Sequence, residues 1–299
     1  MIPDLGRERL VLRENVPLAD RTTLRIGGPA ALFAEVEDVS ALAALLRWAA
    51  GSGRPVLPLG KGSNILVPDE GFPGVAFVLA GDFRNVDVRG TEVVAGAGAS
   101  LMSLAVTAQR AGLAGLENLS GIPSSVGGAV RINAGAYGSE IFDVLSSVEV
   151  VSRAGVRREV PASGIAHAYR WSALMESKDL VASAALRLRA ADPETVRARM
   201  AEVTARRKAA LPAQPNAGSI FRNPPGEFAG RLLEACGMKG RRIGGAEVSR
   251  LHANVIVNAG AATARDVRAL MGEMRAAVEA RFGIALVPEI EVLAPASVE

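Results

Sequence analysis

The chain has 299 residues, of which 49% are hydrophobic and 22% charged, with a formal net charge of +3 and a single cysteine, Cys236. That length predicts about two domains and a sizeable core, and one cysteine excludes an internal disulfide or a thiolate metal cluster. Thirty-two glycines against 4% aromatics favour backbone-lined surfaces that suit a phosphate-bearing or otherwise polar ligand over a base-stacking platform.

In chain order, the N-terminal MIPDLGRERLVLREN carries charges where a signal peptide needs an apolar run. No later segment is long and uncharged enough to span a bilayer, so a cytoplasmic, soluble protein is expected. Residues 40–50 place Leu42, Leu45, Leu46 and Ala49 at helical spacing ahead of Gly51 as a C-cap. A strand in RPVLPLG then runs into Gly60-Lys61-Gly62-Ser63-Asn64 and a second strand, ILV. EVVAGAG and ASLMSLAVTAQRAG read as strand, tight turn and helix, with Leu101, Leu104, Ala105 and Ala108 on one face. VLSSVEVVS and LVASAALRLR alternate as strands do. Asp192 before Pro193 starts a helix striped by Val196, Met200 and Val203, which links two domains. Beyond it, helix FAGRLLEACG, strand ANVIVN, a helix from the N-cap Thr263 and a terminal strand ALVPEIEVL form an α+β unit.

Basic residues are densest between Arg187 and Lys208, seven against three acidic ones, which suits a solvated helix face better than a nucleic-acid footprint. Two glycine-rich runs are stronger leads. Gly60 to Asn64 offers successive backbone N–H groups and polar side chains, a nest for a pyrophosphate. It lacks Walker spacing, and Ile65 occupies the third glycine position of a Rossmann turn; in Gly96-Ala97-Gly98 Leu101 does the same. The run from Gly121 to Gly138, GIPSSVGGAVRINAGAYG, lets backbone approach a ligand closely, with a tight hairpin as its structural alternative. Together they point to a dinucleotide held by a fold other than Rossmann. Ser219 in NAGSIFRNPP has no histidine in its vicinity to activate it as a nucleophile, so on its own it reads as a turn hydroxyl. His167 and His252 read as structural and stand in no metal-ligand spacing.

TTLRIGGPA (22–30), GKGSNILV (60–67), GIPSSVGGAVRINAGAYG, AYRWS (168–172), AGSIFRNP (217–224), FAGRLLEACGMKGRRIGGAEVS (228–249) and LVPEIEVL (286–293) fall in the order seen in UDP-N-acetylenolpyruvoylglucosamine reductases, which the whole chain resembles. The resemblance implies an α+β fold with a PCMH-type flavin region of two subdomains, 1–80 and 81–192. The linker helix and substrate domain would fill 193–299, with the final strand returning Glu289 to the active site. It implies non-covalent FAD held by Gly60, Lys61, Gly62, Ser63, Asn64, Ile65, Ile122, Pro123, Ser124, Ser125, Gly127, Gly128, Asn133 and Gly135. NADPH is the implied co-substrate and a nucleotide sugar the implied substrate, contacted by Arg222 and Asn223; no metal, nucleic acid or membrane is called for, and a monomer is compatible. One kind of family member closes its site with a tyrosine on an added loop. This chain has only Tyr137 and Tyr169, both inside shared motifs, and resembles the shorter kind.

The implied reaction is reduction of an enol ether whose C=C is conjugated to a carboxylate. Hydride on the terminal carbon leaves charge delocalised into that carboxylate, so a hydride donor, an anion stabiliser and an acid are needed. By motif, Arg170 and Glu289 match the stabilising pair, Glu289 in protonated form, and Ser219 matches the proton donor. A hydroxyl aimed at so basic a carbon needs placement more than activation. A flavoprotein oxidase or electron-transfer subunit of the same fold is the alternative; it would keep the glycine loops and lack the AGSIFRNP and PEIEVL motifs. Ser124, Glu247 and Ala294 depart from the residues common in the family, glycine, glutamine and glycine.

Overall fold

A computed structural model describes residues 9–294, so the charged N-terminal residues 1–8 and the last five residues lie outside it. Two compact units emerge. One takes in the chain up to Glu14, Leu32–Gly60 and Gly74–Arg206; the other comprises Asn15–Ala31, Lys61–Pro73 and the chain from Arg207 onward. Two short N-terminal segments thus belong with the C-terminal third.

The first unit holds two hydrophobic clusters. In one, strands Leu10–Pro17, Pro29–Val36, Phe72–Leu79 and Val56–Pro58 form a sheet in that order. Helix α1 (Val39–Gly51) buries Ala41, Leu42, Leu45, Leu46 and Ala49, four of which join Leu32, Val36, Val75 and Phe77 in that cluster. Asp38 Oδ1 accepts the Ala41 N–H at 2.7 Å and starts the helix two residues before Ser40. In the other, a five-stranded antiparallel sheet runs Arg157–Pro161, Leu145–Val151, Leu180–Arg187, Glu92–Gly96, Val86–Arg89. Helices α2 (Leu101–Arg110) and α3 (Val126–Arg131) fill its core with Leu101, Leu104, Ala105, Ala108, Val126, Ala129 and Val130. After the single-turn α4 (Leu174–Ser177), α5 (Pro193–Ala210) begins where Asp192 caps the Thr195 N–H and carries the chain toward the second unit. Three of its arginines pair within the helix, Arg197 with Glu194 and both Arg199 and Arg206 with Glu202, as a solvated face does, and Arg199 also donates to Asn118 Oδ1 at 3.0 Å.

The second unit is a four-stranded antiparallel sheet, Asn216–Ser219, Val255–Asn258, Ala246–Val248, Arg242–Ile243, under α6 (Ala229–Ala235) and α7 (Ala264–Phe282). Its core joins Phe221, Leu232, Leu233, Val248, Ile256, Val267, Leu270, Met274 and Val278 with Leu24, Ile26 and Leu66 from the N-terminal segments. Asp69 accepts the first N–H groups of α7, from Ala264 at 2.7 Å and Arg265 at 3.1 Å. The expected terminal strand is shorter than its alternation suggests: a bridge joins Phe221 to Pro288, and only Glu291–Val292 pair, in parallel, with Ile65–Leu66. Pro288 has no N–H for a ladder, and Glu289 turns its backbone to other partners.

Candidate active site

In the second unit, Gly62 is buried at φ +61, and a Cβ there would lie 2.0 Å from the Arg21 carbonyl oxygen. Thr23 holds it, its N–H donating to the Gly62 carbonyl at 3.0 Å while its hydroxyl donates to the Asn216 carbonyl at 2.7 Å. The Gly62 loop and the strand that leads to Ser219 therefore share one threonine, a residue of TTLRIGGPA whose role no sequence signal reveals.

Asn216–Ser219 pairs with its neighbour at Asn216↔Val257 and Ser219↔Val255, so Ala217 and Gly218 together face one position, and Gly218 at φ +72 makes the bulge possible. The half-buried Ser219 stands where the ladder ends. The next peptide is gripped from two sides: the Ile220 N–H donates to the Asn254 carbonyl at 2.9 Å, and the Ile220 carbonyl accepts the Glu289 N–H at 2.8 Å. Asn64 Nδ2 donates to the Glu289 carbonyl at 3.2 Å, and the Asn64 carbonyl accepts the Glu291 N–H at 2.9 Å. Three stretches widely separated in sequence, at Asn64, Ser219 and Glu289, are thus joined within this unit.

Arg222 Nε is buried and, among the described residues, is the one buried side-chain nitrogen or oxygen without a hydrogen-bond partner. An ionised N–H in that state costs on the order of 1–3 kcal/mol or more, which an anionic oxygen would relieve. Asn223 Oδ1 accepts the Ala229 N–H at 3.1 Å, so its acceptor caps α6. Glu247, where glutamine is common in the family, accepts from Arg250 Nε at 3.2 Å.

The first unit carries Gly60, the second glycine run and Arg170. A Cβ on Gly60 would stand 2.5 Å from Ser125 Oγ, so a side chain there would turn that hydroxyl out of its place. Ser125 caps α3 through the Gly128 N–H at 3.2 Å. Many amides of the second run serve the fold, those of Ile122, Ser124, Val126 and Gly127 donating to the carbonyls of Leu119, Ile122, Ala99 and Ala97. A Cβ on Gly127 would come within 2.8 Å of Ala97 Cβ, which makes it a close-packing glycine. Ser124 has no positive φ, so a side chain here brings no backbone strain.

Arg170 ends the two-residue turn between paired His167–Ala168 and Trp171–Ser172, at φ +55. Left-handed backbone on such a residue is uncommon and concentrates at functional positions. Its Nη2 donates to the carbonyl of Gly135, itself a sequence candidate, at 2.7 Å, and its guanidinium lies over the Tyr169 ring at 4.8 Å. Asn133 is fully buried: Nδ2 donates to Glu140 Oε2 at 2.6 Å and to the Ala168 carbonyl at 3.1 Å, while Oδ1 accepts the Phe142 N–H at 3.4 Å. Its side chain supports the Arg170 hairpin from inside the protein.

The remaining reactive side chains have structural surroundings. His167 stacks on Phe142 at 4.2 Å, and Cys236 Sγ lies 3.4 Å from the Ala277 carbonyl. Burial, reinforced by nearby Lys239, lowers the His252 pKa, which keeps Nδ1 free to accept the Asn254 N–H at 3.2 Å. Among the described residues no cluster of His, Cys, Asp and Glu could hold a metal, and no helix is long and apolar enough to cross a membrane.

Comparison with known proteins returns an FAD-binding domain family model over residues 30–160 and the C-terminal domain model of UDP-N-acetylenolpyruvoylglucosamine reductase over residues 211–293. The reductase 2 of Symbiobacterium thermophilum is 44% identical over 293 residues, 98% of this chain and 94% of the relative. That of Heliobacterium modesticaldum is 44% identical over 279 residues, 93% and 89% of the two chains. The crystal structure of the Thermus caldophilus reductase matches with a TM-score of 0.83 at 40% identity, covering 95% of this chain and all of that one.

Proposed function

The chain belongs to the UDP-N-acetylenolpyruvoylglucosamine reductase family, and we propose from this that it is an FAD-containing, NADPH-dependent enzyme that reduces UDP-N-acetylglucosamine enolpyruvate to UDP-N-acetylmuramate in the cytoplasm, for peptidoglycan synthesis. The observation that carries the reading is the hydrogen bond from the Glu289 N–H to the Ile220 carbonyl, which ties the residue after Ser219 to Glu289. The match over 211–293 argues against a flavoprotein oxidase or electron-transfer subunit, for which that domain has no use.

The flavin region is proposed as two subdomains, 1–80 and 81–192; two hydrophobic clusters favour a two-part region, although Phe83, Val151, Leu180 and Ala182 join the first cluster and Asn15–Ala31 and Lys61–Pro73 pack with the C-terminal third. The residues proposed to hold FAD are Gly60, Lys61, Gly62, Ser63, Asn64, Ile65, Ile122, Pro123, Ser124, Ser125, Gly127, Gly128 and Gly135, with Asn133 acting from behind. In support, Gly62 sits at positive φ with no room for a Cβ against the Arg21 and Thr22 backbone, and Gly60 leaves its own backbone bare beside Ser125. FAD, when bound, would supply the hydride chemistry that no side chain can, with NADPH as the source of the reducing equivalents. Binding is proposed to be non-covalent, because His167, His252 and Cys236 all lie outside the glycine loops.

The protein's own residues do the rest. Arg170 is proposed to pair with the substrate carboxylate as charge moves onto it, its guanidinium preset by Gly135 and Tyr169. Glu289 is proposed to stabilise the same charge, and Ser219 Oγ–H to protonate the adjacent carbon. Arg222, with its unpartnered Nε, is proposed to meet a substrate phosphate, and Asn223 Nδ2 to lie beside it. A visible spectrum, followed by NADPH oxidation with and without the enolpyruvyl substrate, tests the function. Yellow protein with substrate-dependent turnover is expected; colourless protein, or turnover indifferent to that substrate, would overturn it.

A further inference from the structure

Asn254 is only 2% exposed, and an amide so deeply buried is costly unless every polar atom is engaged. Here every one is. Oδ1 accepts the Phe221 N–H at 3.0 Å, Nδ2 donates to the Phe221 carbonyl at 2.8 Å, the backbone carbonyl accepts the Ile220 N–H at 2.9 Å, and the backbone N–H donates to His252 Nδ1. Two bonds to one residue, one donated and one accepted, reproduce what a paired strand residue would offer Phe221.

The need for that substitute follows from topology. The strand Val255–Asn258 pairs with Ser219 through Val255, and then its chain turns away, the Val255 N–H closing onto the His252 carbonyl at 3.0 Å. Without a side chain in the next position, the Phe221 N–H and C=O would stand unpaired in the core, since Phe221 is itself fully buried. A leucine at 254 would suit the apolar surroundings yet satisfy neither group. The amide therefore extends the ladder by one residue past the bulge, on the peptides that immediately follow Ser219 and that Glu289 grips from the other side.

We propose that Asn254 is a positioning residue for the proton-transfer step, fixing the Ile220–Phe221 backbone from which Ser219 and Glu289 take their places. This rests on the assignment of Ser219 as proton donor. An alcohol unaided by a base depends on aim, and a misplacement of about 1 Å can cost ~100-fold in rate. The residue acts through Ser219 and touches no substrate.

The test uses FAD-loaded protein carrying Asn254→Leu, close in volume but unable to bond either Phe221 group, and Asn254→Ala, with Ser219→Ala alongside. Flavin content, flavin reduction by NADPH, and anaerobic reoxidation of the reduced protein by UDP-N-acetylglucosamine enolpyruvate are measured separately, with solvent isotope effects on the last. Amide exchange is followed over residues 219–222. Both Asn254 variants are expected to keep flavin and to be reduced within about twofold of the parent rate. Reoxidation at saturating substrate should fall roughly 10- to 100-fold, with a larger solvent isotope effect and faster exchange at Ile220 and Phe221. Reoxidation at the parent rate in both variants, while Ser219→Ala loses it, would overturn the role of Asn254 alone. Equal losses in the two half-reactions would reduce it to a fold-stabilising residue. Undiminished reoxidation in Ser219→Ala would remove the donor assignment and this inference with it.

Discussion

Gly62→Ala isolates what the first glycine loop needs from its backbone. At φ +61 any β-carbon costs about 1–2 kcal/mol. The new Cβ would also stand 2.0 Å from the Arg21 carbonyl oxygen and 2.7 Å from Thr22 Cα, and both obstacles are backbone, so no rotamer change relieves them. The loop must withdraw by about 1 Å to restore ordinary contact, which strains or breaks the Thr23 N–H bond to the Gly62 carbonyl, worth about 0.5–1.5 kcal/mol. The sum is roughly 1.5–3.5 kcal/mol, or a fall in melting temperature of about 3–14 °C if the whole chain unfolds together. Gly237 supplies the control in the same unit, with φ +72 and nothing within 4 Å of where a Cβ would stand, so Gly237→Ala should show the conformational cost alone. Thermal unfolding of both variants, with flavin content by absorbance, measures the difference, and Gly62→Ala should also lose flavin. Equal destabilisation by the two substitutions would refute the argument that crowding by Arg21 and Thr22 demands glycine.

Ser219→Ala should leave flavin reduction by NADPH nearly intact while substrate reduction falls by about 10²–10⁴-fold, the usual worth of a positioned acid; stopped-flow absorbance separates the two. Arg222→Leu should raise KM for the enolpyruvyl substrate at least about tenfold while leaving the melting temperature unchanged or higher, because it deletes a buried unpaired donor; a lower melting temperature with unchanged KM contradicts it. The Asp266 carboxylate is held below its ordinary pKa, first by the Thr263 N–H and also by the Gly245 N–H. Its stabilisation is therefore complete above the unfolded value of about 3.9 and is lost as pH falls through the lower folded value. Asp266→Asn should flatten the decline of melting temperature below about pH 4, and an unchanged acid slope would speak against that account.

What could be read from sequence follows the range of the interactions involved. Thr263 starts α7 as read, because an N-cap hydroxyl acts within one turn of chain, and Gly283 ends it in left-handed backbone. Asp192 before Pro193 marks the start of α5 for the same reason. The segment ANVIVN reads as a strand throughout, yet pairing begins at Val255, and Asn254 contributes its side chain where the backbone has already turned. Periodicity is blind to an amide standing in for a peptide. Asn64 and Asn133 look alike in sequence, each inside a glycine-rich run, and only burial parts them. Asn133 is sealed among Glu140, Phe142 and Ala168, whereas half-buried Asn64 reaches the Glu289 backbone across 225 residues of chain. Arg170 and Glu289 carry no local signal at all, and without the ordered motifs around them each reads as an ordinary surface charge. What makes Glu289 a candidate in physical terms is a backbone N–H that bonds to the residue beside Ser219, and such a contact exists only once the last strand has returned beside Ile65 and Leu66.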